Sequence, residues 1–208
     1  MIVIGLNGYA RSGKDTVADY MVEQYGFEKV SFAAPLKDML LTLNPQVGVR
    51  WTWRGPKPVY LDDVYVEYGT EEAVKASKYG EEIRHLWQKL GTECVRKYDD
   101  MFWVRAAFTK LTSDDGRYVF TDVRFPNEAD AINQLEGIEG YDAAIWEVHR
   151  TGIGPANGHA SESHVGRLGA HYILNNTSTH YSLYADIDGV LKDMGIYAYI
   201  DLPEELQP

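Results

Sequence analysis

The stretch GYARSGKDT, residues 8–16, combines two glycines and a lysine in the spacing GxxxxGK. Gly8 and Gly13 allow backbone N–H groups to turn inward, and Lys14 adds a mobile positive charge. An apolar run precedes the stretch and a segment of helical periodicity follows it, which is typical of a loop that binds phosphate at a helix N-terminus. We therefore predict a nucleoside triphosphate site in which Lys14 contacts the β- and γ-phosphates. The alternative, a glycine-rich turn with a solvated lysine, is disfavoured by both flanks.

Asp15 occupies the position at which such a loop usually carries Ser or Thr. A carboxylate can ligate Mg²⁺ more strongly than a hydroxyl, because Mg²⁺ prefers hard, charged oxygen. The next residue, Thr16, still offers a hydroxyl and a backbone N–H to an α-phosphate. We predict Mg²⁺ as the cofactor, with Asp15 as a ligand directly or through a water. The alternative is a first-turn acid that only interacts with the helix dipole.

Five short apolar runs predict the strands that position this loop. Segments of helical periodicity separate them, so the sequence predicts βα units, a mostly parallel five-stranded sheet and an α/β fold. The runs are Ile2 to Leu6, Lys29 to Phe32, Arg117 to Val123, Ala143 to Val148 and His171 to Leu174. Because parallel sheets bind ligands at the carboxyl ends of their strands, the residues after each run are candidates for a site.

Two stretches depart from this alternation. Residues 44–79 are rich in Trp, Pro, Tyr and acids, and indicate an insertion. Residues 151–169, TGIGPANGHASESHVGRLG, are dense in Gly, Ser and His, and indicate a mobile loop that acts as a lid. In this loop His159, Glu162 and His164 suggest zinc, but the sequence lacks four ligands at a suitable spacing, so zinc is disfavoured.

The chain has 208 residues and a net charge of −11, from 31 acidic and 20 basic residues. Such a negative field repels nucleic acid and anionic membranes, so we expect neither a polymeric nucleic acid nor a membrane as a partner. The apolar run at the N-terminus is too short for a signal or membrane-spanning segment, which predicts a cytoplasmic protein. The single cysteine, Cys94, excludes an intrachain disulfide, and we expect it to be a small buried side chain on a helix.

An acid and an arginine follow the third predicted strand, in the stretch YVFTDVRFPNEADAI. Asp122 ends the strand where enzymes with a phosphate loop keep a carboxylate for the Mg²⁺ shell. Arg124 lies in a turn that Pro126 helps to fix, so we expect its guanidinium to face a phosphate. Asn127 or Glu128 is expected to start the following helix. The alternative is a buried structural pair of Asp122 with Arg124.

The stretch EEIRHLWQKLGTECVRKY, residues 81–98, has helical periodicity. Its apolar positions fall on one face, and they are Ile83, Leu86, Leu90 and Cys94. Gln88, Thr92 and Arg96 recur every four residues and line up on another side. Their amide, hydroxyl and guanidinium suit a base edge, a sugar and a phosphate. The alternative is a solvated helix face with a Glu–Lys pair.

Four motifs in this order resemble the bacteriophage deoxynucleoside monophosphate kinases: GYARSGKDTVADYM, VSFAAPLKDML, IRHLWQKLGTECVR and FTDVRFPNEADAI. The resemblance extends in patches from Met1 to about Asn176 and includes the unusual GKD. It implies a three-layer P-loop kinase fold related to adenylate kinase, in a single domain. That domain would have a core of residues 1–43, 99–150 and 170–208, an NMP-binding insertion of residues 44–98 and a lid of residues 151–169. The implied reaction transfers the γ-phosphoryl group of ATP to a deoxynucleoside monophosphate.

The residue patterns and the resemblance together predict which residues form the two nucleotide sites. The ATP-binding residues would be Gly8, Ser12, Gly13, Lys14, Asp15 and Thr16. The residues that bind the deoxynucleoside monophosphate would be Lys37, Arg84, Gln88, Thr92, Arg96, Trp103 and Arg124. Those that act in catalysis would be Arg11, Lys14, Arg124 and Arg150, with lid contacts from His159, Glu162 and Arg167 and Mg²⁺ ligands from Asp15 and Asp122.

The implied reaction needs no general base, because the acceptor phosphate is already ionised at neutral pH. Catalysis would be alignment and neutralisation of charge by Lys14, the arginines, Mg²⁺ and the lid. One rival is a P-loop kinase for another small phosphate or alcohol, such as dephospho-coenzyme A, whose hydroxyl acceptor would need Asp15 or Asp122 as a base. The other rival is a non-catalytic, nucleotide-gated binding NTPase. It is disfavoured because Val123 and Arg124 stand where a catalytic glutamate is expected.

Sugar preference and oligomeric state stay open at this point. A preference for deoxy sugars needs a side chain in the space of a 2′-hydroxyl, which Trp103 or a tyrosine of the insertion could fill, although either could equally belong to the core. The Trp- and Tyr-rich insertion could bury an apolar interface, for example in a homodimer.

Overall fold

The computed structural model describes residues 1–154, 163–177 and 179–198. The chain divides into two compact units, a first unit of residues 1–32 with 107–208 and a second unit of residues 33–106. Within the described ranges, no helix has the length and apolar composition that a membrane crossing requires.

Strands and helices alternate over residues 2–43 and again over residues 117–149. In chain order they are β1 (Ile2–Asn7), α1 (Lys14–Tyr25), β2 (Glu28–Val30), α2 (Ala34–Leu43), β3 (Gln46–Thr52), β4 (Gly55–Tyr60), α3 (Leu61–Tyr68), α4 (Glu71–Ala76), α5 (Gly80–Gln88), a π-helical segment (Lys89–Val95), α6 (Arg96–Tyr98), α7 (Phe102–Phe108), β5 (Arg117–Phe120), α8 (Pro126–Asn133), β6 (Asp142–His149), β7 (Tyr172–Asn175) and α9 (His180–Asp193).

A five-stranded sheet forms the centre of the first unit. Its strands lie in the order β2-β5-β1-β6-β7, and every neighbouring pair is parallel. Each strand overlaps one of the five apolar runs that predicted it. The predicted α/β class and parallel five-stranded sheet are therefore confirmed.

Helices cover both faces of this sheet. Ile4 and Leu6 of β1 are fully buried in one cluster with residues of α1 and α9. Gly5 faces the other way, where a Cβ would lie 2.8 Å from the side chain of Ile132 in α8. Because alternate residues of a strand point to opposite faces, α1 and α9 cover one face and α8 covers the other, which gives the predicted three layers.

The central strand β1 is the point at which the chain changes sides. The chain passes from β1 to β2 and β5 on one side, and then to β6 and β7 on the other. In parallel α/β sheets ligands bind beyond the carboxyl ends of the strands at such a point. The segment that leaves β1 there is the predicted phosphate loop.

The second unit packs helices against a two-stranded antiparallel hairpin. Strands β3 and β4 pair from Gln46 with Tyr60 to Thr52 with Gly55. The buried core consists of Leu40, Val47, Val59, Leu61, Val64, Val74, Tyr79 and Ile83. Pro35 lies in the first turn of α2, where its fixed φ suits the start of a helix.

A π-helical segment, Lys89–Val95, interrupts the uniform helix predicted for residues 81–98. Its hydrogen bonds run from i to i+5, so side chains advance by a different angle from those of an α-helix. Ile83, which precedes the segment, is buried as predicted, but Cys94 is exposed. The prediction of a buried Cys94 is therefore wrong, because the wider turn moves it out of the apolar face.

Helix α1 is held against α9 by one carboxylate and three tyrosines. Asp188 accepts hydrogen bonds from the hydroxyls of Tyr20 at 2.9 Å and Tyr25 at 2.7 Å. The Tyr20 ring stacks on Tyr184 with the centroids 4.1 Å apart. Burial, together with Asp188, raises the pKa of Tyr20 to about 12. Because α1 begins at Lys14, these contacts fix the helix that follows the phosphate loop.

We expect the free energy of unfolding to fall above about pH 10, and to fall less in Tyr20→Phe. The Tyr20 pKa is 10.0 in an unfolded chain and about 12 here, so the folded state keeps this proton longer. The contribution of the protonated Tyr20 hydroxyl to the free energy of unfolding is therefore present below about pH 10, and it is lost as the pH rises towards about 12. Urea unfolding at neutral and alkaline pH measures it, with Tyr181→Phe, an 82% exposed tyrosine, as the control. Equal losses in wild type and Tyr20→Phe would contradict this role.

Candidate functional site

The phosphate loop has the backbone that its glycines predicted. Gly8 has φ 144° and Gly13 has φ 106°, both in the region that favours glycine. A Cβ at Gly8 would also lie 2.6 Å from the carbonyl oxygen of Val148. Arg11, at the top of the loop, is exposed and has φ 66°, a conformation that non-glycine residues seldom adopt.

Donor groups gather at this loop. The ammonium group of Lys14 donates to the carbonyl oxygens of Gly8 at 2.7 Å and Tyr9 at 2.8 Å. Ser12 is 1% exposed, and its Oγ has no hydrogen-bond partner among the described residues. That Oγ lies 2.8 Å from where a Gly8 Cβ would be, so it points across the loop. A buried hydroxyl without a partner is costly, and an anion in the loop would satisfy it.

Asn176, which our sequence analysis did not single out, braces the loop from the end of β7. Its Nδ2 donates to the carbonyl oxygen of Ser12 at 2.9 Å, and its backbone N–H donates to that of His149 at 2.7 Å. A Cβ at Gly13 would lie 2.3 Å from the same Nδ2. One buried side chain thus connects the phosphate loop to the carboxyl ends of β6 and β7. The available signal was its place just after the last predicted strand.

The acid predicted at the end of β5 is bound to the end of β2. Asp122 Oδ2 accepts a hydrogen bond from Ser31 Oγ at 2.8 Å, and Oδ1 accepts one from the backbone N–H of Phe32 at 2.9 Å. The carboxylate is half-buried. Neutral donors therefore hold both oxygens at the carboxyl edge of the sheet, where the Mg²⁺ role requires an acid.

Two buried side chains fix the turn that carries Arg124. Asn7 Nδ2, at the end of β1, donates to the carbonyl oxygen of Val123 at 2.7 Å. Glu128, which is 2% exposed, accepts hydrogen bonds from the backbone N–H groups of Arg124 at 2.8 Å and Phe125 at 3.1 Å. The prediction that Asn127 or Glu128 starts the next helix is confirmed for Glu128. The Arg124 side chain is exposed on a rigid turn.

A cleft of about 190 Å³ lies beside the phosphate loop. It is lined by Tyr9, Ser12, Glu147, Val148, His149, Arg150, Ile153, Val165 and Gly166. The structure therefore brings Arg150, which was predicted to act in catalysis, next to the loop. Glu147 is buried and pairs with His149, which the sequence did not suggest.

The described parts of the predicted lid flank the same cleft. His164 lies with its ring centroid 6.1 Å from that of Phe125, beside the Arg124 turn. Arg167 is exposed, and its backbone N–H donates to the carbonyl oxygen of His164. The predicted lid contacts His159 and Glu162 lie outside the described residues.

In the second unit, Lys37 is already paired. Its ammonium group lies 2.5 Å from Glu71 Oε2, and Glu71 also pairs with Lys75. Burial opposes the charge of Glu71, but the hydrogen bonds from both lysines outweigh it and hold the pKa of this carboxyl below its ordinary value. Lys37 and Lys75 also lie 5.8 Å and 5.5 Å from the ring centroid of Trp87.

The other predicted acceptor residues have mixed surroundings. Arg84 Nε donates to the carbonyl oxygen of Gly80, and one Arg84 terminal nitrogen donates to that of Lys75. Trp103 is 2% exposed, and its Nε1 donates to the carbonyl oxygen of Gly91 at 3.0 Å. The structure therefore gives Trp103 a packing role, which corrects its assignment as a sugar contact.

The π-helical segment also changes the predicted polar stripe. Gln88 and Thr92 are half-buried, and one Arg96 terminal nitrogen donates to the carbonyl oxygen of Asp100. The stripe assumed α-helical geometry from Gln88 to Arg96, whereas i to i+5 hydrogen bonds span this range. The straight alignment of the three side chains is therefore wrong, although each stays a candidate.

We expect Asn176→Asp to weaken ATP binding about tenfold, because a carboxylate cannot donate to the Ser12 carbonyl and repels it instead. Titration calorimetry with Mg·ATP measures the affinity. Asn175→Asp is the matched control. Asn175 is exposed, and its substitution by Asp adds the same negative charge one residue away. Equal affinities in the two variants would leave Asn176 with no part in shaping the loop.

Known proteins resemble this chain in the segment that contains the phosphate loop. Residues 2–49 match a family model described as deoxynucleotide monophosphate kinase. A putative deoxynucleotide monophosphate kinase of Acanthamoeba polyphaga mimivirus is 29% identical over 206 residues, which cover 90% of this chain and 94% of the relative. The matched family segment includes the whole phosphate loop and Lys37.

Two phage proteins match over nearly their full lengths. The deoxynucleotide monophosphate kinases of Escherichia phage RB69 and Enterobacteria phage T4 are each 24% identical, over 250 and 245 residues. Both matches cover 92% of this chain, and they cover 100% and 99% of the relatives. The loop geometry, the sheet and these matches agree with the four sequence motifs, and the chain is similar over most of its length to deoxynucleotide monophosphate kinases of phages and mimivirus.

Proposed function

We infer that this protein is a kinase that transfers the γ-phosphoryl group of ATP to a deoxynucleoside monophosphate, giving ADP and a deoxynucleoside diphosphate. The observation that carries this conclusion is the phosphate loop at the carboxyl end of β1. There, two glycines in left-handed conformations, the Lys14 ammonium and the buried Ser12 hydroxyl form a site for an anion. Relatives that match over most of their length and bear this activity in their names support the acceptor class.

ATP is assigned to the phosphate loop and the first turn of α1. Lys14 hydrogen-bonds to loop carbonyls, and rotation of its flexible side chain would bring the ammonium group to the β- and γ-phosphates. Ser12 supplies its hydroxyl, and Thr16 supplies a hydroxyl and a backbone N–H to the α-phosphate. The hydrogen bond from Asn176 Nδ2 to the carbonyl oxygen of Ser12 holds the loop in place, so Asn176 acts as a positioning residue.

Mg²⁺ suits the two predicted carboxylates. Asp15 is exposed in the first turn of α1, and each oxygen of Asp122 already accepts one hydrogen bond. In the described ranges, no three His, Cys, Asp or Glu side chains group closely enough to hold a metal. Mg²⁺ is usually held by one or two carboxylates, with waters and substrate phosphates completing its shell, so the residues fit. When bound, the ion neutralises charge on the phosphates.

The transfer itself is a displacement at the γ-phosphorus. An acceptor phosphate oxygen forms the new bond while the bond to the β–γ bridging oxygen breaks, and the electron pair leaves with ADP. The attacking oxygen is already ionised, so the protein supplies alignment and positive charge. Arg124 on its rigid turn and Arg150 beside the loop are proposed to stabilise the transferred group. Arg11 at the top of the loop is proposed to bridge donor and acceptor phosphates.

The acceptor is assigned to side chains of the second unit. Lys37 is proposed to grip the acceptor phosphate, which must then compete with Glu71 for the ammonium group. Gln88, Thr92 and Arg96 are proposed to contact base, sugar and phosphate, and Arg84 completes the set. ATP and deoxynucleoside monophosphates are thus the proposed partners, in the cytoplasm, and a homodimer is the proposed assembly.

Lys14→Ala should lower the rate of phosphoryl transfer by at least about 100-fold, because a positioned charge on the transferring group is lost. Thermal stability should change little, since the lysine is not part of the core. Chromatography of mixtures with Mg·ATP and a panel of deoxynucleoside monophosphates measures the diphosphates formed. Lys29→Ala, which removes a lysine of the surface pair with Asp19, is the control. A near-normal rate in Lys14→Ala would overturn the loop assignment, and product from hydroxyl acceptors alone would favour the dephospho-coenzyme A-like alternative.

Asp15→Asn should raise the Mg²⁺ concentration that gives half-maximal rate, because a charged ligand becomes neutral. Asp15→Ser should have a smaller effect, since it restores the hydroxyl that such loops usually carry. Rate measurements in a Mg²⁺ titration test both variants, with Asp19→Asn on the exposed side of the same helix as the control. If the titrations of all variants coincide, Asp15 interacts with the helix dipole only.

A further inference from the structure

Two lysines and one acid meet over a tryptophan in the second unit. The ammonium groups of Lys37 in α2 and Lys75 in α4 lie 5.8 Å and 5.5 Å from the ring centroid of Trp87 in α5. Glu71 joins the two lysines: its Oε2 accepts a hydrogen bond from Lys37 at 2.5 Å, and its Oε1 pairs with Lys75. We define these four residues as the two-lysine cluster. It brings side chains of three helices together around one carboxylate.

The backbone of Lys75 is held in place by helix α5. One Arg84 terminal nitrogen donates a hydrogen bond to the Lys75 carbonyl oxygen at 3.3 Å. A Cβ at Gly80, the first residue of α5, would lie 2.1 Å from the same oxygen, which shows how closely the two helices approach. Val74, the neighbour of Lys75, is fully buried in the core of this unit. The Lys75 side chain therefore extends from a fixed point of the chain.

The two-lysine cluster carries an excess of positive charge. Burial opposes the charge of Glu71, yet the two lysines together hold the pKa of its carboxyl below its ordinary value, so it is ionised at neutral pH. In the part of the chain that the structure describes, no other carboxylate pairs with either lysine. One carboxylate between two ammonium groups leaves one positive charge without a partner of opposite sign.

A purely structural contact between α2 and α4 would not need both lysines. Like charges repel, so two ammonium groups over one ring are stable only with an anion between them. The side chains of Lys37, Glu71 and Lys75 are 29%, 27% and 41% exposed, so all three charges lose part of their hydration. Taking charges out of water costs free energy, and apolar side chains of similar volume often stabilise such a position as well or better. A second anion that takes the place of the Glu71 carboxylate gives the two lysines a use.

We propose that Lys75 binds the acceptor phosphate together with Lys37, and that Glu71 occupies the place of this phosphate until the acceptor arrives. This inference rests on the proposed function, because it takes the acceptor to be a deoxynucleoside monophosphate. Two phosphate oxygens take the positions of the two Glu71 oxygens, one at each ammonium group. Lysine suits this exchange, because it is a compact charge on a flexible stem and binds phosphate without a fixed geometry.

The same exchange makes Glu71 a residue that determines specificity. A phosphate monoester carries close to two negative charges at neutral pH, since its second pKa is about 6. It therefore competes well with a carboxylate of one charge for two ammonium groups. A phosphate diester has one charge and a nucleoside has none, so both gain less from the exchange. The two-lysine cluster thus favours a terminal phosphate over anions of lower charge.

Titration calorimetry of the full chain with a deoxynucleoside monophosphate, without ATP, tests the role of Lys75. Lys75→Met keeps an apolar stem beside Trp87 and removes the charge, so it should weaken binding roughly tenfold or more through the loss of a charge-assisted contact. Lys78→Met is the matched control, because Lys78 is an exposed lysine 5.0 Å from the ring centroid of Tyr79. Equal affinities in these two variants would overturn the assignment of Lys75.

Glu71→Gln should instead tighten binding of the monophosphate by at least about tenfold. In wild type the lysines are free of Glu71 only in a minor state, populated at about 10% or less, and the apparent affinity is reduced by that fraction. Glu72→Gln, which removes an exposed acid of the same helix, is the control and should bind like wild type. A purely structural Glu71 predicts a lower melting temperature and weaker binding. Unchanged or weaker binding by a folded Glu71→Gln variant would overturn the proposal.

A methyl ester of the same monophosphate, which carries a single charge, tests the specificity. Wild type should prefer the monoester over this diester, and Glu71→Gln should reduce the preference severalfold. Because the methyl group is the same in both titrations, its steric effect cancels in the comparison. An equal preference in wild type and Glu71→Gln would overturn the role of Glu71 in specificity.

Chromatography of wild type with Mg·ATP and the monophosphate tests the proposed function separately. If wild type forms the diphosphate while Lys75→Met and Glu71→Gln bind like their controls, the inference about the two-lysine cluster fails alone. If wild type forms no diphosphate but binds inorganic phosphate, and Glu71→Gln binds it more tightly, the proposed function fails and the anion site stands.

Discussion

The site depends on the close approach of the phosphate loop to the carboxyl ends of β6 and β7. A Cβ at Gly8 would strike the Val148 carbonyl at 2.6 Å, and one at Gly13 would strike the Asn176 amide at 2.3 Å. Glycine is therefore required at both places by packing as well as by φ. The parallel sheet supplies a rigid floor for this contact, and the Asp188 cluster fixes the helix that leaves the loop. A loop held in this way keeps its donors in place before an anion arrives, which is the preorganisation that phosphoryl transfer needs.

A chain of net charge −11 can still bind a polyanion because the relevant interactions are short-ranged. Surface acids farther away than a Debye length, about 10 Å at 0.1 M salt, are largely screened. Lys14, Arg124 and Arg150 all belong to residues at the carboxyl edge of the sheet, where the loop and Asn7 position them. The net charge therefore argues against long polyanions that cover much of the surface, and leaves a nucleotide site unaffected.

Sequence patterns over a few residues predicted the strands and the phosphate loop, which depend mainly on local sequence. Apolar runs located all five strands of the sheet, and the glycine–lysine spacing located the loop. The sequence did not predict the roles of Asn176 and Asn7, because their hydrogen-bond partners are remote in sequence. Asn176 contacts Ser12 across 164 residues, and Asn7 contacts Val123 across 116 residues. An asparagine after a strand has many uses, and only the register of the sheet shows which backbone group it reaches. The prediction that Trp103 contacts the sugar was wrong for a related reason. Composition does not distinguish an indole that packs in the core from one that faces a ligand.

The π-helical segment shows most clearly where helical periodicity in the sequence does not predict the directions of side chains. Gly91, within the segment, is buried, and a Cβ there would lie 2.9 Å from the Leu36 side chain. The Gly91 carbonyl also accepts a hydrogen bond from Trp103, which is worth about 1 kcal/mol and favours the wider turn. The directions of Thr92 and Arg96 thus depend on packing by Leu36 and Trp103, neither of which belongs to the segment. If the acceptor site uses this helix, as the motifs imply, the buried Trp103 and the partly buried Leu36 set its geometry.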